Sequence, residues 1–261
     1  MRPTRRTVRP SCGTEKPSLG GTLQTDNQLL RSLSLDDYHE LRRHLRPVGF
    51  RSGSILYEPE DPVEWVYFPE SGLVSLISIM RSGTQVETAV VGREGAVGFL
   101  EAAGAGVIFT RAVVQIDLVA QRAPAQCFRD ALSGSASLRK KIAAHVELTI
   151  AEGRQTIACI AHHAPEARLA WWLLECQDRT GQNHLCLTQE FLGAMLAVQR
   201  STVSQAAAAL KGAGIIDYSR GDIEILNRQA LQARSCECYA TNRHFRDRIE
   251  GEEPRANTLP N

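Results

Sequence analysis

The sequence has no C-x-x-C pair, no histidine between Arg46 and Ala144, no excess of either charge and no long apolar run. Each absence removes a class of function. With 30 Lys and Arg against 29 Asp and Glu, there is no global basic field of the kind that marks a nucleic-acid coat or membrane-surface protein, so any nucleic-acid contact must come from a local patch. A membrane helix needs roughly 18–20 uninterrupted apolar residues, yet the stretch from Gly104 to Ala120 is already broken by Arg111 and Asp117. The expectation is a cytoplasmic protein without membrane contact. The seven cysteines at 12, 127, 159, 176, 186, 236 and 238 are odd in number and scattered, which reads as reduced thiols rather than a disulfide framework. No P-loop, nucleophile elbow or dinucleotide fingerprint occurs, so nothing points to an enzyme.

Residues 1–25 are rich in arginine and lack an apolar core segment, which predicts a disordered tail rather than a secretory signal. Leu29, Leu30, Leu33, Leu35, Tyr38, Leu41 and Leu45 then repeat at a spacing that predicts short amphipathic helices. From Val48 to Val119 the texture changes to short β-branched or aromatic segments, at Ser54 to Tyr57, Trp65 to Phe68, Leu73 to Met80, Gln85 to Val91 and Arg111 to Ile116. Glycine and proline separate them, and this pattern predicts a small β jelly roll over residues 26–130. Jelly rolls also host metal-dependent enzymes, but the missing histidines remove the usual ligand set.

Residues 131–163 contain no proline and carry Ile142, Val146, Thr149, Gly153, Thr156, Ile160 and His163 alternately four and three apart. That spacing fits a long helix with a seam for a second copy, Gly153 and Thr149 allowing close approach; one helix packed on its own domain is the alternative. Pro165 ends or kinks it, and a further domain is expected over 164–235, followed by a tail over 236–261.

Thr188 to Leu210 reads as two short helices around a tight turn at Ala197 to Gln199. Thr188 suits an N-cap, and Phe191, Leu192, Met195, Leu196, Val198, Val203, Ala207 and Leu210 supply an inward face. Gly193 is small where the helices converge. The second helix opens on Gln199, Arg200, Ser201, Thr202, Ser204 and Gln205, residue types that pair with base edges, Arg with guanine and Gln with adenine. Two strands around Ser219 to Asp222, with Arg220 at the tip, complete a winged helix-turn-helix. Arg200, Lys211, Arg220, Arg228 and Arg234 form a candidate phosphate-contacting set, diluted by Asp217, Asp222 and Glu224.

In this order of parts the sequence resembles the Crp/Fnr family of bacterial transcription regulators over about residues 26–235, most specifically over Leu187 to Leu226. The resemblance implies an α+β protein with a cyclic-nucleotide-binding-like jelly roll, a long dimerisation helix and a C-terminal winged helix-turn-helix. It further implies a homodimer on double-stranded DNA, with RNA polymerase a candidate partner. Arg200, Ser201 and Gln205 fall where the family reads bases, and Thr188, Gln189, Gln199, Thr202, Ser204 and Arg220 complete the expected contact set. Ser201 stands where a glutamate is frequent, implying a different half-site, and Ala197 stands where the turn usually has glycine.

The resemblance also raises a cyclic nucleotide as ligand, for which Arg93, Glu94, Gly95 and Arg111 are the candidates. Glu94 precedes a usable pocket glycine and Arg111 is displaced from the following strand, so these glycines read as turns and no cofactor is expected; a cyclic-nucleotide-responsive regulator stays as the alternative. A winged helix that binds protein instead of DNA is another. An iron–sulfur sensor would need clustered N-terminal cysteines, whereas only Cys12 precedes residue 127. Cys159 with His162 and His163, and Cys236 with Cys238, are each incomplete as metal ligands, so no metal site is expected.

Overall fold

The computed structural model describes residues 25–187, 189–219 and 222–250, without the side chains of Gln189, Glu190 and Glu250. Almost all of the expected N-terminal tail, and Thr188 and Arg220, lie outside the described residues. The chain divides into two units. One takes the chain up to Ser75 together with Val91–Leu138, the other Leu76–Val90 together with the chain from Arg139 onward.

The first unit opens with helices α1 (Gln28–Arg31) and α2 (Leu35–Arg42), each capped as its sequence suggests: Asn27 accepts from the N–H of Leu30, and Ser34 from that of Asp37. Strands β1 (Arg46–Phe50), β2 (Ile55–Tyr57), β3 (Trp65–Ile79), β4 (Gln85–Val91) and β5 (Arg111–Pro124) follow, with helix α3 (Phe99–Ala103) before β5 and helix α4 (Ala125–Gly134) after it. The sheet order is β1, β5, β3, β4, and β2 also pairs with β5. Both β1 and β2 run antiparallel to β5.

Burial on β5 alternates as a half-covered strand requires: Ala112, Val114, Leu118 and Ala120 are buried while Val119 is 50% exposed. With Val66, Phe68, Leu73, Val74 and Phe128 they form the core of this unit. The two segments Trp65 to Phe68 and Leu73 to Met80 are one strand, β3, not two. Gly72 permits this continuity. It adopts φ 88°, and a Cβ there would lie 2.3 Å from the carbonyl oxygen of Asp117, so the glycine both takes the left-handed turn and lets β3 lie against β5.

In the second unit helix α5 (Ala136–His162) runs 27 residues. Helix α6 (Pro165–Thr180) starts on its proline and stops at Gly181, which has φ 70°. Strand β6 (His184–Cys186), helices α7 (Gln189–Leu196) and α8 (Arg200–Gly212), strands β7 (Ile216–Ser219) and β8 (Asp222–Ile225) and helices α9 (Arg228–Arg234) and α10 (Cys238–Glu250) complete it. The hairpin of residues 76–90 groups here rather than with the rest of the strands, and the indole of Trp172 donates to Glu87 at 2.8 Å.

The expected tail over 236–261 is corrected as far as residue 250, because α10 is a helix. Its sequence is polar enough to look like a solvated segment, yet Cys238, Tyr239 and Asn242 are buried on one face. Arg246, one turn on, reaches Glu152 and Glu175, each at 2.6 Å. The second of those carboxylates also pairs with Arg179. A largely buried arginine held by two carboxylates reads in the sequence as a surface one does.

Candidate nucleic-acid interface

The second unit places α7 and α8 on a floor supplied by α6. Leu169, Ala170, Leu173 and Leu174 of α6 are buried, as are Phe191, Leu192, Met195 and Leu196 of α7 and Val203, Ala206, Ala207 and Leu210 of α8. Trp172 lies against Phe191 with ring centroids 5.4 Å apart. Arg168, itself buried, donates from its guanidinium to the carbonyl of Leu196 at the end of α7, where the helix presents unsatisfied carbonyls and a partial negative charge. Burial lowers the pKa of Arg168, and the nearby sulfurs of Cys159 and Cys236 oppose that shift.

The turn between the two helices is tight. The N–H of Ala197 donates to Ala194 and that of Val198 to Gly193, at 3.2 and 3.1 Å. Ala197 takes φ 50°, the left-handed conformation in which this turn position favours glycine; the substitution strains the residue but leaves the turn formed. Gly193 keeps its importance as a small residue, since a Cβ there would sit 3.2 Å from the carbonyl oxygen of Val198.

With Val203, Ala206, Ala207 and Leu210 facing inward, the start of α8 projects Gln199, Arg200, Ser201 and Gln205 into solvent, with Thr202 and Ser204 half-buried beside them. Gln199 occupies the N-cap position with extended backbone, and its side chain makes no capping hydrogen bond. The exposed set therefore offers amide, guanidinium and hydroxyl groups along one side of the first two turns of a helix, the donor and acceptor types that match base edges in a major groove. Gln189 opens α7, but its side chain lies outside the described atoms.

The wing is three-stranded, in the order β6, β8, β7, with both pairings antiparallel. The sequence revealed two of these strands; β6 is too short, at three residues, to carry a legible alternation. Ser219 pairs with Asp222 across the tip.

Most of the expected phosphate-contacting cations are already engaged. Lys211 pairs with Asp217 at 2.7 Å and donates to the carbonyl of Tyr218 at 3.0 Å, and its hydrogen bond holds the Asp217 carboxyl below its ordinary pKa. Arg228 contacts Gln177, Asp178 and the hydroxyl of Tyr239. Arg234 pairs with Glu166 at 2.8 Å. These three fasten α8, α9 and the wing to their neighbours through half-exposed ion pairs.

In the first unit, Arg93, Glu94 and Gly95 form a turn tied to the start of α1. The Arg93 carbonyl accepts from Gln28 at 2.7 Å, the Gly95 carbonyl accepts from Asn27 Nδ2 at 2.8 Å, and Glu94 Oε1 accepts from the N–H of Gly92 at 2.9 Å. Arg111 donates through Nε to Glu58 at 2.9 Å. An arginine that grips a cyclic phosphate must present its fork to the ligand; this one faces a carboxylate, which competes for it and repels an anion.

Two family models match the chain: a cyclic nucleotide-binding domain over residues 47–135 and a Crp-like helix-turn-helix domain over residues 167–234. No curated protein matches it. Among solved structures, FixK2 from Bradyrhizobium japonicum is similar over 74% of this chain and 98% of its own, at 20% identity and a TM-score of 0.64. TTHB099 from Thermus thermophilus, a transcriptional regulator of the CRP family, is similar over 72% and 95%, at 18% identity and a TM-score of 0.61. TTHA1359 from the same organism, a CRP/FNR-family transcriptional regulator, is similar over 73% and 98%, at 22% identity and a TM-score of 0.59. With a cyclic-nucleotide-binding-like sensor, a long helix and a helix-turn-helix DNA-binding domain in this order and this fold, the chain belongs to the Crp/Fnr family of transcription regulators.

Proposed function

We propose that the protein binds an inverted repeat in double-stranded DNA as a homodimer in the cytoplasm, each α8 entering one of two successive major grooves about 34 Å apart. The observation that carries this reading is the division of α8 into a buried apolar side and an exposed opening of Gln199, Arg200, Ser201 and Gln205. Arg200 and Gln205 read bases, Ser201 sets a half-site different from that of relatives with a carboxylate there, and Thr202 and Ser204 support the contact. Thr188, Gln189 and Arg220 contact the backbone on either side.

Dimerisation runs along α5. The seam expected at Ile142, Val146, Thr149 and Gly153 faces partly inward, Ile142 being buried, and the exposed stripe lies one residue further on, at Ala143, Glu147, Ile150, Arg154, Ile157 and Ala161. Ile150 is 46% and Ile157 71% exposed, and a Cβ at Gly153 would meet nothing within 4 Å. Two isoleucines seven residues apart on an exposed helix face, next to an open glycine, suit a second copy of the same helix. The engagement of Arg111 by Glu58 supports an effector other than a cyclic nucleotide.

Selection of bound sequences from a random DNA pool by the purified protein tests this reading. The expected result is an enriched inverted repeat whose binding weakens steeply with salt and is unchanged by cyclic AMP. Absence of enrichment, or capture of protein by the winged helix instead, would overturn it.

A further inference from the structure

The two incomplete ligand pairs of the sequence meet in space. Cys159 on α5 and His163, just beyond the helix end, are one turn apart on the same face, and the N–H of His163 donates to the carbonyl of Cys159 at 3.0 Å. Cys236 precedes α10 and Cys238 is its first residue. One ligand atom from each of the four lies within 4.8 Å of all the others. Cys159, Cys236 and Cys238 are buried, at 0%, 7% and 0% exposure.

The finer distances select the kind of group that fits. Cys159 Sγ lies 3.5 Å from Cys236 Sγ, and Cys238 Sγ lies 3.4 Å from His163 Nδ1. In tetrahedral zinc sites, with Zn–S near 2.3 Å and Zn–N near 2.0 Å, the ligand atoms are about 3.5–3.8 Å apart. An iron–sulfur cluster would need its cysteines spread around a polynuclear core. A disulfide needs the two sulfurs about 2.05 Å apart, which this pair does not meet.

The surroundings orient the ligands as metal sites require. His163 Nδ1 faces the cysteines while Nε2 lies 3.1 Å from Glu237 Oε1, the carboxylate contact that fixes the ring and leaves the other nitrogen as a lone-pair donor. Gln155 Nε2 donates to Cys238 Sγ at 3.0 Å. Three thiolates and one imidazole leave no open position, which marks a structural site rather than a catalytic one.

We propose that Cys159, His163, Cys236 and Cys238 form a closed tetrahedral site for one Zn2+ ion, which fastens the end of α5 to the junction of α9 and α10. Binding releases the three thiol protons to solvent, and the ion with its three thiolates and neutral imidazole carries one net negative charge. The site ties the proposed dimerisation helix to the segment that follows the wing, within one unit of the fold.

Elemental analysis of the full-length protein, purified without added chelator, tests this. The expected result is close to one zinc per chain, released by a thiol-modifying reagent and lost in the C236S/C238S variant. Because that variant removes buried groups and risks misfolding, Co2+ exchange into the unmodified protein supplies a second readout: an intense thiolate-to-cobalt absorption with the visible bands of a tetrahedral ion. The exposed wing group His184, Cys186 and Asp222 is separated by Cys186→Ser, which should retain the full metal content. Metal-free protein with reactive thiols, a Cys159 to Cys236 disulfide by mass spectrometry, or loss of the metal in Cys186→Ser would each overturn the proposal.

Discussion

Arg246 of α10 places its Nη2 2.6 Å from the buried carboxylate of Glu175 on α6. The same guanidinium donates through Nε to Glu152 on α5, so one side chain near the end of the described chain holds two longer helices. Replacing it removes a cation from largely buried carboxylates, and among the described residues Arg179 remains to compensate them. Arg246→Met is expected to cost about 3 kcal/mol in urea-induced unfolding, whereas the neighbouring exposed Arg248→Met should change stability by less than about 0.5 kcal/mol.

The same cluster gives stability a defined dependence on pH. Burial by itself would raise the pKa of Glu175, but the charges of Arg179 and Arg246 override it and bring it from 4.5 to about 2. A carboxyl whose folded pKa is depressed contributes stability that is complete above its unfolded value and is lost as pH falls through its folded one. The loss attributable to Glu175 therefore develops between 4.5 and about 2. Glu152, whose pKa burial raises, acts in the opposite direction. Urea midpoints measured across this range should fall more steeply in the unmodified protein than in Glu175→Gln; equal slopes would contradict the assignment.

Ala197 carries the strain of the helix-turn-helix at φ 50°. Ala197→Gly relieves the Cβ clash, partly offset by the greater freedom of glycine in the unfolded chain, and is expected to stabilise the protein by up to about 1 kcal/mol. Ala197→Val places a β-branched residue in the left-handed region and should destabilise by about 1–2 kcal/mol. Thermal unfolding of the two variants should bracket the unmodified protein.

Ile157 is the most exposed large aliphatic residue of α5, at 71%. If α5 meets its copy along the stripe through Ile150 and Ile157, Ile157→Glu sets two carboxylates against each other across the two-fold axis. Sedimentation equilibrium should then give at least tenfold weaker dimerisation with unchanged helix content. A variant that dimerises as tightly as the unmodified protein would move the interface elsewhere.

What could be read from the sequence follows from where its patterns are strong. The helix pair around Ala197 was legible because Phe191, Leu192, Val203 and Leu210 keep helical spacing and because the turn is short. A long helix ending near His163 is legible from the lack of breakers, but not its start, since residues 131–134 close α4 and α5 begins at Ala136, nor its outward face, since alanines and isoleucines occur on both sides and only packing distinguishes Ile142 from Ile157. Pro69 and Gly72 look like punctuation and divide β3 into two segments on the sequence, whereas Gly72 serves the close approach to β5. Helix α10 is not legible because its anchoring side chain is an arginine. The proximity of Cys159, His163, Cys236 and Cys238 is not legible in the sequence because 77 residues separate Cys159 from Cys236, and no local spacing rule spans such a gap. The carboxylate partners of Lys211, Arg228 and Arg234 are not legible either, because sequence reports a charge but not its neighbour in space.

The central claim is that the exposed opening of α8 reads DNA bases, and Arg200→Ala tests it most directly. Fluorescence anisotropy on the selected inverted repeat, and on copies with each half-site position changed, separates base reading from general affinity. The account expects the variant to lose about 1–3 kcal/mol of affinity and to stop discriminating at one symmetric base pair, with its salt dependence little changed. Full affinity with unaltered base preference would contradict it and would remove α8 as the reading helix.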